Sequence, residues 1–320
     1  MLWDPAERKA EMNGDEQMDF RALNYVMAIA KHQNITKAAE ALYVGQPTLS
    51  KFLMTLEQDL GVKLFRRLGN KYMLTYAGER YVEKAAQILS LKSDLDAEMA
   101  DILKRDVGVL NVAFANMRCS YMLPATLPAF RAMHPNVKVN VFEGTSDQND
   151  RRLLEGQVDV AFYTHPGEEN PLIEYHALAS EELLICTCRN HPLAEQAVSN
   201  GHSSYPKLEL NMLKDELVLL MRPEQRTRQI VDAIVHENRI HLENVLYTSN
   251  IQAIMGLVSS GYGVSFVFDS HLRHRIDDNP IDCYSFGTPC TRYDFVAATR
   301  KRSYLPRYVG DFIEIVRQAV

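Results

Sequence analysis

No apolar run in this chain approaches the roughly 18–20 residues needed to cross a bilayer, so no membrane-spanning helix is expected. Paired cysteines are also lacking: Cys119, Cys186, Cys188, Cys283 and Cys290 are odd in number, scattered and without zinc-ligand spacing. A reducing cytoplasm is the expected compartment. The chain has no Gly-rich phosphate loop, no nucleophile elbow and no His pair at metal spacing, so neither an enzyme nor a cofactor is expected. His271 and His274, beside Arg273 and Arg275, suit a solvated helix end. Residues 1–17 (MLWDPAERKAEMNGDEQ) carry acids and no apolar core, unlike a secretory signal, and read as a disordered leader.

Positive charge is scarce overall, with a net charge of −6, but it is unevenly placed. Residues 1–17 carry −3, residues 18–76 carry +4 and the remainder carries −7. A basic segment on an acidic bulk is the footprint of one nucleic-acid-binding head on a body that repels DNA. At 320 residues the chain is long enough for two or three domains with real cores.

That basic segment has the layout of a helix–turn–helix with a wing. A helix from about Asp19 to His32 carries Phe20, Leu23, Val26, Met27 and Ala30 at helical spacing. Thr36 stands before Lys37–Leu42 as an N-cap would, and Ala38-Ala39 permit close helix crossing. Gly45 supplies the turn, and Pro47 falls in the first turn of the next helix, where its missing N–H costs nothing. Leu49, Phe52, Leu53, Leu56 and Leu60 mark that helix's core face, and Gly61 ends it. Gln46, Pro47, Thr48, Ser50 and Lys51 are left outside, and their side chains include groups that read base edges or hold phosphates. Lys63, Arg66, Arg67 and Lys71 decorate a hairpin around Gly69-Asn70. Periodicity alone leaves this reading open against an ordinary amphipathic helix pair.

The literal sequence goes further. Thr36, Ala38-Ala39, Gln46-Pro47-Thr48-Leu49-Ser50-Lys51, Leu56 to Phe65, Arg67, Leu74-Thr75 and Ala77-Gly78 together resemble the LysR-type transcriptional regulators. Gly45 and Tyr76 depart from that pattern. Weaker matches continue downstream: Leu123-Pro124, His134-Pro135, Glu155 to Asp159, His191 to Ala194 and Gly261 to Val264. Phe266-Val267-Phe268-Asp269 stands where many relatives carry Leu-Pro, which bears on the back wall of the pocket.

The resemblance implies an α/β chain. It would have an all-α winged helix–turn–helix head (18–77), a linker helix (78–106) and a two-lobed α/β periplasmic-binding-protein-like regulatory domain (107–320). The linker carries a stripe of Ile88, Leu91, Leu95, Met99 and Ile102, which needs a partner. It either folds back onto the body or, the favoured reading, pairs with a second copy. The resemblance implies a dimer or tetramer on double-stranded promoter DNA, with contacts to RNA polymerase. It also implies two lobes joined by crossing strands, about 107–164 with 284–320 and 165–283, and a small effector between them.

Strands and helices do alternate after Val107, and ligands of such sheets collect beyond strand C-termini. The candidate residues are Asn116, Met117, Arg118, Thr145, Ser146, Tyr163, Thr164, Met221, Arg222, Ser249 and Asn250, with Phe266 alongside. Hydroxyls, amides and two arginines suit a small carboxylate. Thr145-Ser146 serves equally well as a helix cap. Two rival readings stay open: a ligand-binding α/β protein without DNA function, and a thiol redox sensor. For the second, Cys186 and Cys188 share a strand face and Cys283 and Cys290 could meet across a turn. Buried structural thiols are favoured over this reading.

Overall fold

The structure is a computed structural model that describes residues 20–103, 107–165, 167–274, 280–287 and 290–320, apart from the side chain of Asn116. The expected leader, Asp19, Arg105 and Arg275 lie outside the described residues. The chain divides into two compact units between Leu95 and Asp96. No helix among the described residues is long and apolar enough to cross a membrane.

The first unit is built on α1 (Phe20–His32), α2 (Ile35–Ala41) and α3 (Gln46–Asp59). The buried face of α1 is Ala22, Leu23, Tyr25, Val26 and Ile29, so the expected stripe is rotated. Phe20 is exposed, with the Lys92 ammonium over its ring. Thr36 does not cap α2. Asn34 does, its extended backbone letting the side chain accept from the amides of Thr36 and Lys37. The left-handed residue of the turn is Tyr43 (φ 54), whereas Gly45 is extended (φ −68) and is the N-cap of α3.

On α3, Leu49 and Leu53 are buried as expected, but Leu60 is 44% exposed because the helix ends one residue earlier and Leu60 is its C-cap. Glu57 takes the buried place. Its Oε1 accepts from the amides of Leu64 and Phe65 at 2.9 and 3.1 Å, and Oε2 binds Lys63 Nζ at 2.7 Å. Gly61 (φ 66) closes the helix in the left-handed conformation.

Strands β1 (Phe65–Leu68) and β2 (Lys71–Leu74) form the wing, with Gly69 (φ 60) in its tight turn. Thr75 Oγ1 accepts from Gly78 N and so caps α4 (Tyr76–Ile102). That helix begins before Gly78, where a Cβ would lie 2.0 Å from the Leu64 carbonyl oxygen. Along α4, Leu91, Leu95, Met99 and Ile102 are exposed.

In the second unit, β3 (Gly108–Ala115) lies parallel between β4 (Val137–Gly144) and β5 (Val160–Thr164). Leu110, Val112 and Phe114 point to one face and pack with Phe130, Phe162, Phe295 and Phe312 beneath α5 (Asn116–Met133) and α10 (Arg307–Gln318). The other face packs on α6 (Ser146–Leu154).

Strand β6 (Ile173–Cys188) is long enough to serve two sheets. Its first part pairs with β11 (Arg292–Arg300), and from Leu183 it pairs with β9 (Val264–Phe268) and β10 (Ile281–Tyr284). Strand β7 (Leu217–Met221) runs parallel to β8 (Asn244–Thr248) and β9. Helices α7 (Arg226–Glu237), α8 (Ile251–Ser259) and the short α9 (Asp269–Leu272) complete this lobe. The order β4-β3-β5-β11-β6-β9-β7-β8 has parallel wings around antiparallel crossing strands. Pairing therefore moves the crossings from Thr164 and Cys283 to Glu182 and Arg292, because the Ile173–Glu182 stretch is held by β11 in the first sheet.

Glu57 makes the fold of the head testable. Glu57→Ala leaves two buried amides without an acceptor and should cost about 2–4 kcal/mol in chemical denaturation of the head within the full chain. A loss under about 0.5 kcal/mol would mean that water reaches the Leu64 and Phe65 amides.

Candidate functional site

Two groups of residues are candidates, one in each unit. In the head, Gln46, Pro47, Thr48 and Lys51 are exposed and Ser50 half-buried at the N-terminal end of α3, where the helix dipole adds positive potential. Leu49 and Leu53 anchor the opposite face, so these polar side chains are held outward. Thr36 is exposed in the first turn of α2, and Arg66, Arg67 and Lys71 are exposed on the wing. Arg67 Nε donates to the Gly69 carbonyl at 3.0 Å, which fixes its stem across the hairpin turn. Lys63 is tied to Glu57 instead. Sequence reasoning passed over Tyr43, which is 97% exposed at the turn before α3. Its signal was a bulky aromatic next to the expected turn.

In the second unit, a cleft of about 420 Å³ opens where parallel strands end and helices begin. Of the residues proposed from the sequence, Met117, Arg118, Ser146, Thr164, Met221, Ser249 and Asn250 line it. Asn250 also caps α8, accepting from the amides of Gln252 and Ala253. Four others are not on the lining. Thr145 is buried and spends its side chain on a capping box with Gln148. Tyr163 is fully buried, with its hydroxyl on Asp150. Arg222 is exposed and not on the lining. Phe266 points into the core of the second lobe, edge-on to Phe286 at 5.7 Å.

Residues that the sequence reading missed take their places: Gln225, Arg226 and Thr227 at the start of α7, Ile251 and Gln252 at the start of α8, and His271 on α9. The loop after β7 runs to Gln225, so the helix that meets the cleft starts later than the Met221-Arg222 pair suggested. His271 is buried and not at a solvated end, and His274 stacks on Tyr121 at 3.9 Å. Tyr121 belongs to the first lobe, so this stack bridges the lobes.

Arg118 does not present a free fork to the cleft. Its two terminal nitrogens meet both oxygens of Glu181 at 2.9 and 2.5 Å, and Thr164 and Tyr121 accept from it at 3.1 Å. Phe295 lies beneath the guanidinium at 4.1 Å. Burial pulls the Arg118 guanidinium down, but Tyr121 and Glu181 outweigh it and hold it above its ordinary value. Burial works to raise the Glu181 carboxyl, yet Arg118 holds it below the usual carboxylate range. Burial and the nearby Arg118 charge drive His271 down to about 3, so it is a neutral imidazole. Glu181 was visible in the sequence only as one of two acids, Glu181-Glu182, ahead of an apolar strand.

The five cysteines are free thiols, and their neighbours differ from those of the rival redox reading. Cys186 and Cys283 are opposite each other on β6 and β10, with their sulfurs 3.2 Å apart, while Cys290 donates to the His202 carbonyl. No group of His, Cys, Asp and Glu suited to a metal occurs among the described residues.

Comparison with known proteins matches both units. Residues 20–79 match the model of bacterial regulatory helix-turn-helix proteins of the lysR family, and residues 104–320 match the LysR substrate binding domain. The chain is 26% identical over 315 residues to the uncharacterized HTH-type transcriptional regulator YcgK of Bacillus subtilis, covering 95% of each. Among solved structures, full-length CbnR in complex with its target DNA aligns with a TM-score of 0.60 at 26% identity, over 95% of this chain and 100% of that one. A variant of full-length OxyR from Pseudomonas aeruginosa aligns with a TM-score of 0.73 at 23% identity, over 95% of both chains, and shares the fold.

The buried groups of the cleft predict acid sensitivity. Unfolded His271 takes up a proton near its ordinary value of 6.5, whereas the folded side chain resists protonation until about 3. The unfolded state therefore binds more protons in that window, and stability falls as pH drops through it. Glu181, held below its ordinary value of 4.5, adds a loss in the same direction at lower pH. Thermal unfolding of the second unit should lose stability between pH about 6.5 and about 5, and His271→Gln should flatten that loss. Equal losses in the two proteins would remove His271 as the group responsible.

Proposed function

The chain belongs to the LysR family of transcriptional regulators, with a helix–turn–helix head and an effector-binding domain. From that premise we propose that it binds a pseudo-palindromic promoter site as a dimer or tetramer. Gln46, Thr48, Ser50 and Lys51 read or hold one major groove, and Thr36, Arg66, Arg67 and Lys71 hold the flanking backbone. The observation that carries this reading is the outward set of polar side chains at the start of α3, buttressed by buried Leu49 and Leu53 and flanked by a basic wing. The exposed Leu91, Leu95, Met99 and Ile102 of α4 suit a second copy of the same helix.

Within residues 107–320 the effector is a small molecule, its site the cleft bounded by Met117, Ser146, Thr164, Met221, Ser249 and Asn250. A carboxylate fits the hydroxyls and amides collected there, and the cleft volume suits a small ligand. The effector binds the two lobe arrangements with different affinity, so occupancy shifts their populations, and through them head spacing, DNA bending and contact with RNA polymerase. The cytoplasm is the compartment. The protein carries out no catalysis and needs no cofactor.

Fluorescence anisotropy against the chain's own upstream intergenic DNA, beside a scrambled duplex across a salt series, tests the reading. Strong preference for the intergenic duplex is expected, and equal weak binding to both would count against it. Gln46→Ala or Ser50→Ala should lose about 1–3 kcal/mol of that preference. Arg67→Ala should weaken both duplexes alike and reduce the salt slope by about 1. The same assay then screens metabolites for the effector.

Thiol sensing is a second reading, favoured by the Cys186–Cys283 sulfur pair. A peroxide would take one proton and one electron from each thiol, forming a disulfide and two waters. Thiol titration before and after hydrogen peroxide should then show the loss of two thiols, with Cys186 and Cys283 joined in peptide mapping. An unchanged thiol count would remove this reading.

A further inference from the structure

Arg226 begins α7 in the second lobe and lines the cleft. Its Nη2 donates to Asp147 Oδ1 at 2.8 Å, and Gln229 Nε2 donates to the same carboxylate at 3.1 Å. Asp147 lies in the first turn of α6 in the first lobe. One face of α7 thus holds a single carboxylate across the cleft between the lobes.

The geometry of that hold is incomplete. Nε and Nη2 form one edge of a guanidinium, with parallel N–H groups spaced to meet the two oxygens of a carboxylate. Asp147 occupies only the Nη2 half. Arg226 Nε is buried and has no hydrogen-bond partner. The side chain of Asp147 is 56% exposed and that of Arg226 only 14%, so the carboxylate that reaches Arg226 comes from the rim.

Arg118, the other cation on the lining, is already matched by Glu181 on both nitrogens. His271 is neutral. Among the described lining residues, only Arg226 is left with a fork edge for an incoming anion. The remaining walls are Met117, Met221 and Ile251 with hydroxyls and amides.

We propose that Asp147 is a built-in occupant of an anion site at Arg226, displaced by an effector that carries one carboxylate on an otherwise uncharged, partly apolar body. This rests on the reading of the cleft as the effector site and specifies its ligand. A ligand carboxylate engages both Nε and Nη2, where Asp147 engages one. In doing so it also breaks the contact that joins α6 to α7 across the cleft, so the ion exchange at Arg226 is the step that couples binding to lobe arrangement. A ligand with two carboxylates would find no second fork, and a neutral one would leave Asp147 in place.

Acetate tests the site directly, because it is small enough to enter whatever the effector is, with acetamide as its uncharged counterpart. The full-length protein is labelled at arginine nitrogen, and the Arg226 Nε–H signal is assigned by its loss in Arg226→Gln. Acetate should shift that signal saturably, while acetamide, or chloride at equal ionic strength, should not. In Asp147→Asn the shift should appear at about two- to fivefold lower acetate, the factor for removing an exposed ion-pair competitor. Hydrogen exchange at the N-terminal turns of α6 and α7 should rise with acetate and be raised already in Asp147→Asn. A response to acetamide equal to that for acetate, an acetate response unchanged in Asp147→Asn, or no response in that variant would overturn the proposal.

The reading of the cleft itself is checked separately with Met221→Trp, which fills the cavity, and with whichever compound the DNA assay selects. A compound sensitive to Met221→Trp but indifferent to Arg226→Gln keeps the cleft and sinks the anion site. A compound indifferent to Met221→Trp sinks the cleft.

Discussion

The regulatory domain is organised around the buried pair of Arg118 and Glu181. Arg118 stands in the first turn of α5, and Glu181 lies on β6 just before that strand leaves β11 for β9. Burying either charge alone would cost several kcal/mol. The cost is met only because the fork of Arg118 matches both oxygens of Glu181, with Thr164 and Tyr121 accepting from the same guanidinium. The end of β5, the start of α5 and the crossing of β6 must therefore keep their positions together. That junction is also the floor of the cleft. Changing one partner would disturb the sheet crossing as well as the pocket.

The same pair sets the electrostatics of the cleft. Burial, with the nearby Arg118 charge, keeps the His271 imidazole neutral, and Arg226 is a lining cation whose buried Nε has no hydrogen-bond partner. The head uses a related device on a smaller scale. Glu57 is buried at the end of α3 and accepts from the amides of Leu64 and Phe65, tying the recognition-helix candidate to the first strand of the wing. In both units a buried carboxylate ties together two elements that meet at a candidate site.

Much of this was legible in the residues. Alternation of Leu110, Val112 and Phe114 marked a strand with one face in a core, and all three are buried. Gly61 marked a helix end, and it is left-handed there. The failures have local causes. Thr36 and Asn34 are both good caps, and only the extended backbone at Asn34 decides between them. Glu57 is polar, so a periodicity argument places it outside, although two amides wait for it inside. Thr145 and Ser146 are adjacent hydroxyls with equal claims on the pocket. The capping box consumes the first and leaves the second facing the cleft.

The sequence by itself determined the order of elements, the family and the polar face of α3, because these depend on side-chain period and short-range turn chemistry. Tertiary structure decided where β6 changes sheets, which arginine is spent on Glu181 and which is held by Asp147, and that Cys186 faces Cys283. Each of those depends on partners distant in sequence, Arg118 and Glu181, Asp147 and Arg226, Cys186 and Cys283. A charge or thiol acquires its role from the group placed opposite it, and only the folded chain sets that placement.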